Sequence, residues 1–243
     1  MVEDETSAGT LLGGRLAYRQ LRAGHRSGFE PVLMAAFCPA RPGTRVLELG
    51  SGAGAALLCL RARLGGISGI GIERHPALAA LAQANFTENG FHDLAAVQAD
   101  ATRLPFAAQS FQHVMANPPW FAPDGTHSPD SARALAHHAS EGLLAGWIGE
   151  ALRLLRDQGS LTLALPAASF AQAASLLRPS CGAITLLPLW PRAGEAAKLI
   201  LLRARKASRG PDVILPGLAL HDTAGITAAA QAVLRDGAAL DAP

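Results

Sequence analysis

Short apolar runs alternate with longer segments of helical periodicity from residue 31 onward. An apolar run of four to eight residues bounded by Gly, Pro or polar residues is typical of a buried strand, whereas apolar positions three and four residues apart indicate a helix. The pattern predicts strands at residues 45–49, 68–72, 94–98, 111–116, 160–165, 184–188 and 197–203. It predicts helices at residues 31–38, 55–64, 76–88, 168–177 and 224–234, with another ending near residue 156.

This alternation predicts an α/β fold in which the strands pair in parallel and helices cover both faces of the sheet. The last two strands have no helix between them, so we expect one antiparallel strand at the edge. The prediction is therefore a doubly wound, Rossmann-like sheet of seven mostly parallel strands. Residues 1–30 contain paired glycines and alternating apolar positions, which indicate an N-terminal arm or hairpin before a domain of residues 31–243.

The composition indicates the class of protein but says little about the reaction it catalyses. Of the 243 residues, 49% are hydrophobic and 16% charged, a core-forming balance. The net charge of +2 permits a phosphate-rich partner without requiring one. The three cysteines form no CxxC pair, and no second ligand cluster accompanies His137-His138, so we expect no metal site. The acidic N-terminus and the lack of a long apolar run favour a soluble, cytoplasmic protein.

The first candidate for chemistry is the turn after the first predicted strand, which reads Glu48-Leu49-Gly50-Ser51-Gly52-Ala53-Gly54. Glycines between a strand and a helix let the backbone approach a ligand where a β-carbon would clash. The same spacing fits a dinucleotide fingerprint, S-adenosylmethionine binding or an ordinary tight turn. The candidate cofactor-binding residues in this segment are Glu48, Gly50, Ser51, Gly52 and Gly54.

Two acids follow the next two predicted strands. Glu73 ends the segment GIGIE, where a carboxylate can accept hydrogen bonds from both hydroxyls of a ribose. Asp100 follows the third strand and can accept a hydrogen bond from an adenine amino group. A solvated loop acid and a turn-forming Asp are the alternatives. Glu73 suits NAD and S-adenosylmethionine equally, whereas the dinucleotide fingerprint does not require Asp100.

The segment Asn117-Pro118-Pro119-Trp120 follows the fourth predicted strand and decides between these cofactors. The Asn117 side-chain oxygen and the Pro118 carbonyl can together accept hydrogen bonds from one planar amino group. Two fixed acceptors favour the more tetrahedral, nucleophilic form of that nitrogen as positive charge develops. Trp120 offers a flat face on which the target can stack. We therefore predict an S-adenosylmethionine-dependent N-methyltransferase with Asn117, Pro118 and Trp120 as catalytic residues and Asn117 also next to the cofactor.

Basic residues lie on both sides of the predicted sheet in the sequence. Such runs are usually solvated loops, but two runs flanking one catalytic sheet can also form a groove for a phosphate backbone. We prefer the groove because an RNA substrate needs one. The residues predicted to line it are Arg15, Arg19, Arg22, His25 and Arg26 before the sheet, and Lys198, Arg203, Arg205, Lys206 and Arg209 at its end.

Together these motifs resemble the class I amino methyltransferases with an Asn-Pro-Pro-aromatic segment. More narrowly, the chain resembles the bacterial tRNA(Val) adenine-N6 methyltransferases in the segments around Leu11–Arg15, Gly24–Leu33 and Leu220–Thr227. The resemblance implies S-adenosylmethionine as cofactor and methylation of the exocyclic N6 of an adenine beside the anticodon. Two positions depart from that family's usual pattern: Glu30 stands where Asp is more frequent, and Trp120 where Tyr is.

Three alternatives stay open at this point. A protein glutamine N5-methyltransferase would use the same Asn-Pro-Pro segment, because an amide nitrogen is also planar. That group usually has a helical N-terminal domain, for which residues before Arg45 leave no room. An NAD-dependent oxidoreductase would explain the glycines and Glu73 but not Asn117. A non-catalytic RNA-binding protein would not need an intact Asn117. The sequence does not indicate the oligomeric state.

Overall fold

The computed structural model describes residues 6–22, 28–119 and 130–240, with only the backbone of residues 130–141. Its strands are β1 (Thr6–Leu11), β2 (Leu16–Leu21), β3 (Arg45–Leu49), β4 (Ser68–Glu73), β5 (Leu94–Gln98), β6 (Phe111–Ala116), β7 (Leu155–Pro166), β8 (Cys181–Arg192), β9 (Leu199–Lys206), β10 (Val213–Ile214), β11 (Leu218–Asp222) and β12 (Gly225–Ile226). Its helices are α1 (Glu30–Phe37), α2 (Ala55–Leu64), α3 (Pro76–Glu88), α4 (Asp130–Leu154), α5 (Phe170–Leu177) and α6 (Ala228–Leu234).

The central sheet confirms the doubly wound α/β class. Strands β5, β4, β3, β6 and β7 lie side by side in that order and run parallel. We call the edge where these five strands end the carboxyl edge, and the opposite edge the amino edge. The chain moves outward from β3 through β4 to β5 and then returns to the other side of β3 as β6. This reversal of strand order creates a crevice at the carboxyl edge between β3 and β6.

The position of the antiparallel strand differs from the expectation. β9 runs antiparallel, but it lies between β7 and β8 rather than at the edge of the sheet. The helical crossover through α5 places β8 parallel to β7 and one strand position away from it, and β9 fills the gap between them. Beyond β8 the sheet continues through β11, and the two-residue β12 runs antiparallel to β11 at the edge of the sheet. β10 also pairs with β8, so the main sheet of the described residues has ten strands, of which β9 and β12 run antiparallel to their neighbours.

Two apolar layers enclose the sheet. On one face α1, α2, α3 and α6 contribute residues such as Phe37, Leu57 and Phe86, while on the other α4 and α5 contribute Trp147 and Leu177. All of these side chains are buried. Among the described helices, none is both long enough and apolar enough to span a bilayer.

The first two strands form a separate antiparallel hairpin. β1 pairs with β2 from Thr6 opposite Leu21 to Leu11 opposite Leu16. The hairpin lies outside the main sheet and against α3. α3 begins just after the carboxyl edge and runs towards the amino edge. β2 contacts the end of α3 first and an earlier turn afterwards, so it points back towards the carboxyl edge.

Candidate active site

The candidate residues of three strands meet in one row at the carboxyl edge. Leu49 of β3 is paired with Ile72 of β4 and with Ala116 of β6. Consequently the next residues, Gly50, Glu73 and Asn117, leave the sheet at the same level. Adjacent strands lie about 4.8 Å apart, so the backbones of Glu73 and Asn117 are roughly 10 Å apart, one on each side of Gly50. This row borders the crevice created by the reversal of strand order.

The three glycines of the turn have left-handed backbone conformations, with φ of +67° at Gly50, +54° at Gly52 and +86° at Gly54. A β-carbon at Gly50 would collide with the Trp147 ring, and one at Gly54 would come within 2.6 Å of the Phe86 ring. Both positions are therefore explained by internal packing. A β-carbon at Gly52 would meet no atom of the described residues within 4 Å. Gly52 is thus the point of the turn where a ligand can approach the backbone.

Glu73 holds the glycine turn from the neighbouring strand. Its carboxylate accepts hydrogen bonds from Gly52 N at 2.9 Å and from His75 N at 2.8 Å. Each carboxylate oxygen can accept more than one hydrogen bond, so both oxygens keep capacity for hydroxyl donors. The contact with Gly52 places this capacity directly beside the open part of the turn.

Glu48 and Ser51 lie beneath the turn instead of facing the open space above Gly52. Glu48 is buried, and its Oε2 accepts a hydrogen bond from Leu57 N in the first turn of α2 at 3.2 Å. Burial, reinforced by the charge of Glu73, raises the pKa of the Glu48 carboxyl to about 8. The Ser51 hydroxyl lies against Gly71, where an added β-carbon would be 2.8 Å from it, and Ser51 N donates to the backbone of β4.

Asp100 stabilises a tight turn, which is one of the two roles that its position in the sequence allows. Its Oδ1 accepts hydrogen bonds from Thr102 N at 2.8 Å and from Thr102 Oγ1 at 2.7 Å, and these bonds lower the pKa of the Asp100 carboxyl. The residue is exposed, two positions beyond the end of β5. Because the turn uses Oδ1, Oδ2 is oriented by the same bonds and can accept from a ligand.

Asn117 carries a polar atom that the protein leaves unsatisfied. Its Oδ1 is buried and has no hydrogen-bond partner within the described part of the chain. A buried acceptor without a partner costs about 1–3 kcal/mol, so such atoms in folded proteins require an explanation. The following Pro118 is buried and Pro119 is exposed. An amino group entering the crevice would supply the missing donor.

Several of the predicted residues lie outside the described residues. They are Trp120, the proposed stacking residue, and His25 and Arg26 in the segment before α1. His137 and His138 belong to α4, but only their backbone is described.

Sequence reasoning missed a pair of side chains that fixes the loop after Asp100. Glu150 in α4 accepts a hydrogen bond from Leu104 N at 2.8 Å, and Arg153 donates to Leu104 O at 2.9 Å. Arg153 also donates to Glu150 at 2.7 Å, and this bond is the main reason why the pKa of the Glu150 carboxyl is lowered. A Glu and an Arg three residues apart on one helix were the only signal of this clamp in the sequence.

The predicted basic groove is wrong for the residues of β9. Arg205 is paired with Ser160 in the middle of β7, six residues before that strand ends at the carboxyl edge, which is about 20 Å at 3.3 Å per residue. Lys206 follows it and donates to two backbone carbonyls where α4 joins β7. Arg203 stacks on the Phe37 ring at 4.8 Å. Because β9 is antiparallel, its basic end lies at the amino edge, opposite Asn117.

Two basic residues of the hairpin are also engaged in contacts within the protein. Arg15 donates to the backbone of Asp236 at 2.8 Å, and Arg19 pairs with the Glu88 carboxylate at 3.1 Å. Arg22 is exposed just after β2, where the hairpin points towards the carboxyl edge. Of the hairpin arginines in the described part, Arg22 is therefore the best placed for a partner at the crevice.

Of the residues predicted to line the groove, Lys198 does lie at the carboxyl edge, together with Arg192 and His221, which the prediction did not include. Arg192 ends β8 and is paired in register with His221 of β11, while Lys198 precedes β9 and bonds through its carbonyl to the residue after β7. Arg192 and Lys198 are exposed. The His221 ring lies 6.4 Å from the Phe29 ring, so the chain before α1 and the C-terminal strands meet at the carboxyl edge.

Comparison with known proteins agrees with this geometry. A family described as "Methyltransferase domain" matches residues 46–142, which contain the glycine turn and all the candidate carboxyl-edge acids. The tRNA1(Val) (adenine(37)-N6)-methyltransferase of Aeromonas hydrophila is 30% identical over 191 residues, which cover 75% of this chain and 77% of that protein. The chain belongs to this methyltransferase family.

Other relatives extend the comparison. The family member of Actinobacillus succinogenes is 33% identical over 149 residues, or 60% of this chain, and the match spans a little under two thirds (63%) of that protein's own length. A solved structure from Agrobacterium tumefaciens, described as a predicted O-methyltransferase, superposes with a TM-score of 0.73. It covers 88% of this chain and 99% of that one at 24% identity, and it therefore supports the fold alone.

Proposed function

We propose that the protein is an S-adenosylmethionine-dependent methyltransferase that methylates the exocyclic N6 of an adenine in tRNA, of the tRNA(Val) type and next to the anticodon. The observation that carries the proposal is the buried Oδ1 of Asn117, which has no hydrogen-bond partner among the described residues and follows the strand next to the one that leads into the turn with the open Gly52. One position lacks a donor that an amine would supply, and the other leaves space that a cofactor would fill.

The residues of the crevice fit this cofactor without a metal ion. Gly52 lets the cofactor contact the backbone, Glu73 accepts from ribose hydroxyls, and Asp100 accepts from the adenine amino group through Oδ2. Glu48 supports the turn through the N-terminus of α2. When bound, S-adenosylmethionine supplies a methyl group that is already activated by the positive sulfur.

The protein then has to hold and orient the acceptor nitrogen. Asn117 Oδ1 and the Pro118 carbonyl accept hydrogen bonds from its two hydrogens and draw its lone pair out of conjugation with the ring. Acceptors fixed in advance stabilise the positive charge that develops on nitrogen without reorganising during the reaction. The nitrogen that Asn117 and Pro118 hold would receive the methyl group from S-adenosylmethionine, and water would take the proton that this nitrogen loses. We propose Trp120 as the stacking surface for the target base.

For the RNA contact we propose the basic residues of the carboxyl edge. Arg192, Lys198 and His221 lie at the carboxyl edge on the side of β8 and β11, and Arg22 follows the hairpin on the side of α3. Arg205 and Lys206 lie instead at the amino edge. Neutralising phosphates supplies most of the affinity of such proteins for nucleic acid. Residues 1–30 would act as an arm beside the methyltransferase domain of residues 31–243, and a tRNA substrate is consistent with a cytoplasmic protein.

A second candidate is methylation of a glutamine amide in a protein, because Asn117 Oδ1 can accept from an amide NH₂ as well as from an adenine. Family membership favours the adenine. The two candidates differ in their product, so the discriminating measurement is chemical.

The test is transfer of labelled methyl groups from S-adenosylmethionine to unmodified tRNA, followed by mass spectrometry of the nucleosides. We expect N6-methyladenosine at one position, and no label when that adenine is replaced by guanine. Label in a protein fraction with none in tRNA would favour the glutamine amide. Absence of label in both would contradict the assignment as a methyltransferase.

A further inference from the structure

Asn85 and Asn89 on α3 form hydrogen bonds with the backbone of β2 that a neighbouring strand would otherwise form. Asn89 Oδ1 accepts from Ala17 N at 3.0 Å, and its Nδ2 donates to Ala17 O at 2.8 Å. One turn earlier, Asn85 Oδ1 accepts from Arg19 N and its Nδ2 donates to Arg19 O, both at 2.9 Å. These paired bonds dock β2 of the hairpin onto α3, because each asparagine satisfies the outward backbone groups of one β2 residue.

The two asparagines differ in their last hydrogen bond. The second hydrogen of Asn89 Nδ2 goes to Asn85 O within α3, at 2.8 Å. The second hydrogen of Asn85 Nδ2 goes to Ala53 O, at 2.9 Å. Ala53 is the residue between Gly52 and Gly54, so of these two asparagines it is Asn85 that connects the hairpin to the turn above which the cofactor is expected.

The environment of Asn85 makes this bond hard to replace. The side chain is fully buried, whereas Asn89 is only partly buried. Truncation of Asn85 removes the partner of three backbone groups; two belong to the partly buried Arg19, and the third is buried, where a lost partner costs most. This third group is the Ala53 carbonyl, and the turn must then move to satisfy it.

We propose that Asn85 is a positioning residue that couples docking of the N-terminal hairpin to the shape of the glycine turn, and thereby to cofactor affinity. The inference rests on the proposed function, since it takes the glycine turn as the cofactor seat. Coupling of this kind is reciprocal, so cofactor binding must also tighten the hairpin.

The first test compares Asn85→Ala with the control Asn89→Ala, which loses an equivalent pair of hairpin bonds. Calorimetric titration with S-adenosylhomocysteine should show about 5- to 10-fold weaker binding for Asn85→Ala, the size of one net hydrogen bond. Asn89→Ala should stay within about twofold of the unmodified protein on the same reasoning. Equal losses in the two variants, or unchanged affinity in Asn85→Ala at temperatures where it is folded, would overturn the coupling.

The second test needs no substitution and applies if Asn85→Ala does not fold. Hydrogen exchange of the unmodified protein is followed with and without S-adenosylhomocysteine. The ligand should slow exchange of the Arg19 amide, which donates to Asn85, more than that of the Ala17 amide, which donates to Asn89. Equal protection of the two amides would refute the coupling.

A third measurement separates this inference from the proposed function. If the unmodified protein fails to bind S-adenosylhomocysteine, the cofactor assignment fails. The link between hairpin and turn is then judged by exchange of the Gly54 amide, which donates to Ser51 O at 2.8 Å. Asn85→Ala should accelerate that exchange and Asn89→Ala should not. The same rate in both variants would disprove the link itself.

Discussion

Replacement of Gly52 by Ala tests directly whether the open space above the turn is a cofactor seat. A β-carbon at this position meets no atom within 4 Å in the part of the chain that the structure describes, so the substitution creates no steric clash there. It does force a non-glycine residue to adopt a φ of +54°. A left-handed conformation costs roughly 1–2 kcal/mol, which corresponds to a fall in melting temperature of about 2–8 °C for a chain of this size.

A bound cofactor would turn the same β-carbon into an overpacked contact. Overpacking costs about 1–3 kcal/mol, which is roughly a 5- to 150-fold loss of affinity. The matched control is Gly90→Ala. Gly90 has a φ of +70° and also has no atom within 4 Å of an added β-carbon, but it follows α3 far from the crevice.

The assay is calorimetric titration of both variants with S-adenosylhomocysteine, accompanied by thermal unfolding. The two variants should lose similar stability, and only Gly52→Ala should lose affinity. If Gly52→Ala binds as tightly as Gly90→Ala, the cofactor does not contact this turn and the geometry of the site has been misinterpreted.

Three further results are expected. Asn117→Ala should lower kcat by roughly 10²-fold or more, the scale for one preorganised polar contact, while S-adenosylhomocysteine affinity is nearly preserved; a near-normal rate would remove Asn117 from catalysis. The raised pKa of Glu48 means that the folded protein keeps a proton that the unfolded chain releases, so its stability contribution is complete below pH 4.5 and falls as the pH rises towards about 8. Denaturant titrations should show that this decline is smaller in Glu48→Gln, and an unchanged pH profile would mean that Glu48 is ionised. Arg192→Ala and Lys198→Ala should each weaken tRNA binding and reduce its salt dependence, whereas Arg205→Ala should leave both unchanged. If filter-binding assays show weaker binding only for Arg205→Ala, the RNA contacts the amino edge instead.

The sequence was sufficient for the positions of the first strands along the chain and for the residues that end them. Apolar runs bounded by glycine or proline predict buried parallel strands, and strands of this kind end at a common edge. That rule alone places Gly50, Glu73 and Asn117 in one region, and the register of β3, β4 and β6 puts them in one row. The local pattern is enough to locate these residues because strands that alternate with helices run in the same direction.

Other features depend on partners that are distant in the sequence. A hairpin of β8 and β9 predicts an antiparallel strand, but its place inside the sheet follows from where α5 delivers β8. The same topology reverses the expected position of Arg205. A run of basic residues in the sequence indicates a concentration of positive charge. Whether that charge lies at the carboxyl edge or the amino edge depends on the direction of the strand in the assembled sheet.

Side-chain environment was likewise decided only by the tertiary structure. Gly50, Gly52 and Gly54 look equivalent in the sequence, yet two of them pack against Trp147 and Phe86 and only Gly52 faces open space. Local sequence specifies that these positions need left-handed backbone, because that is a property of the residue and its immediate neighbours. The side chains that pack over these glycines belong to α3 and α4, more than thirty residues away in the sequence. No local pattern encodes such contacts.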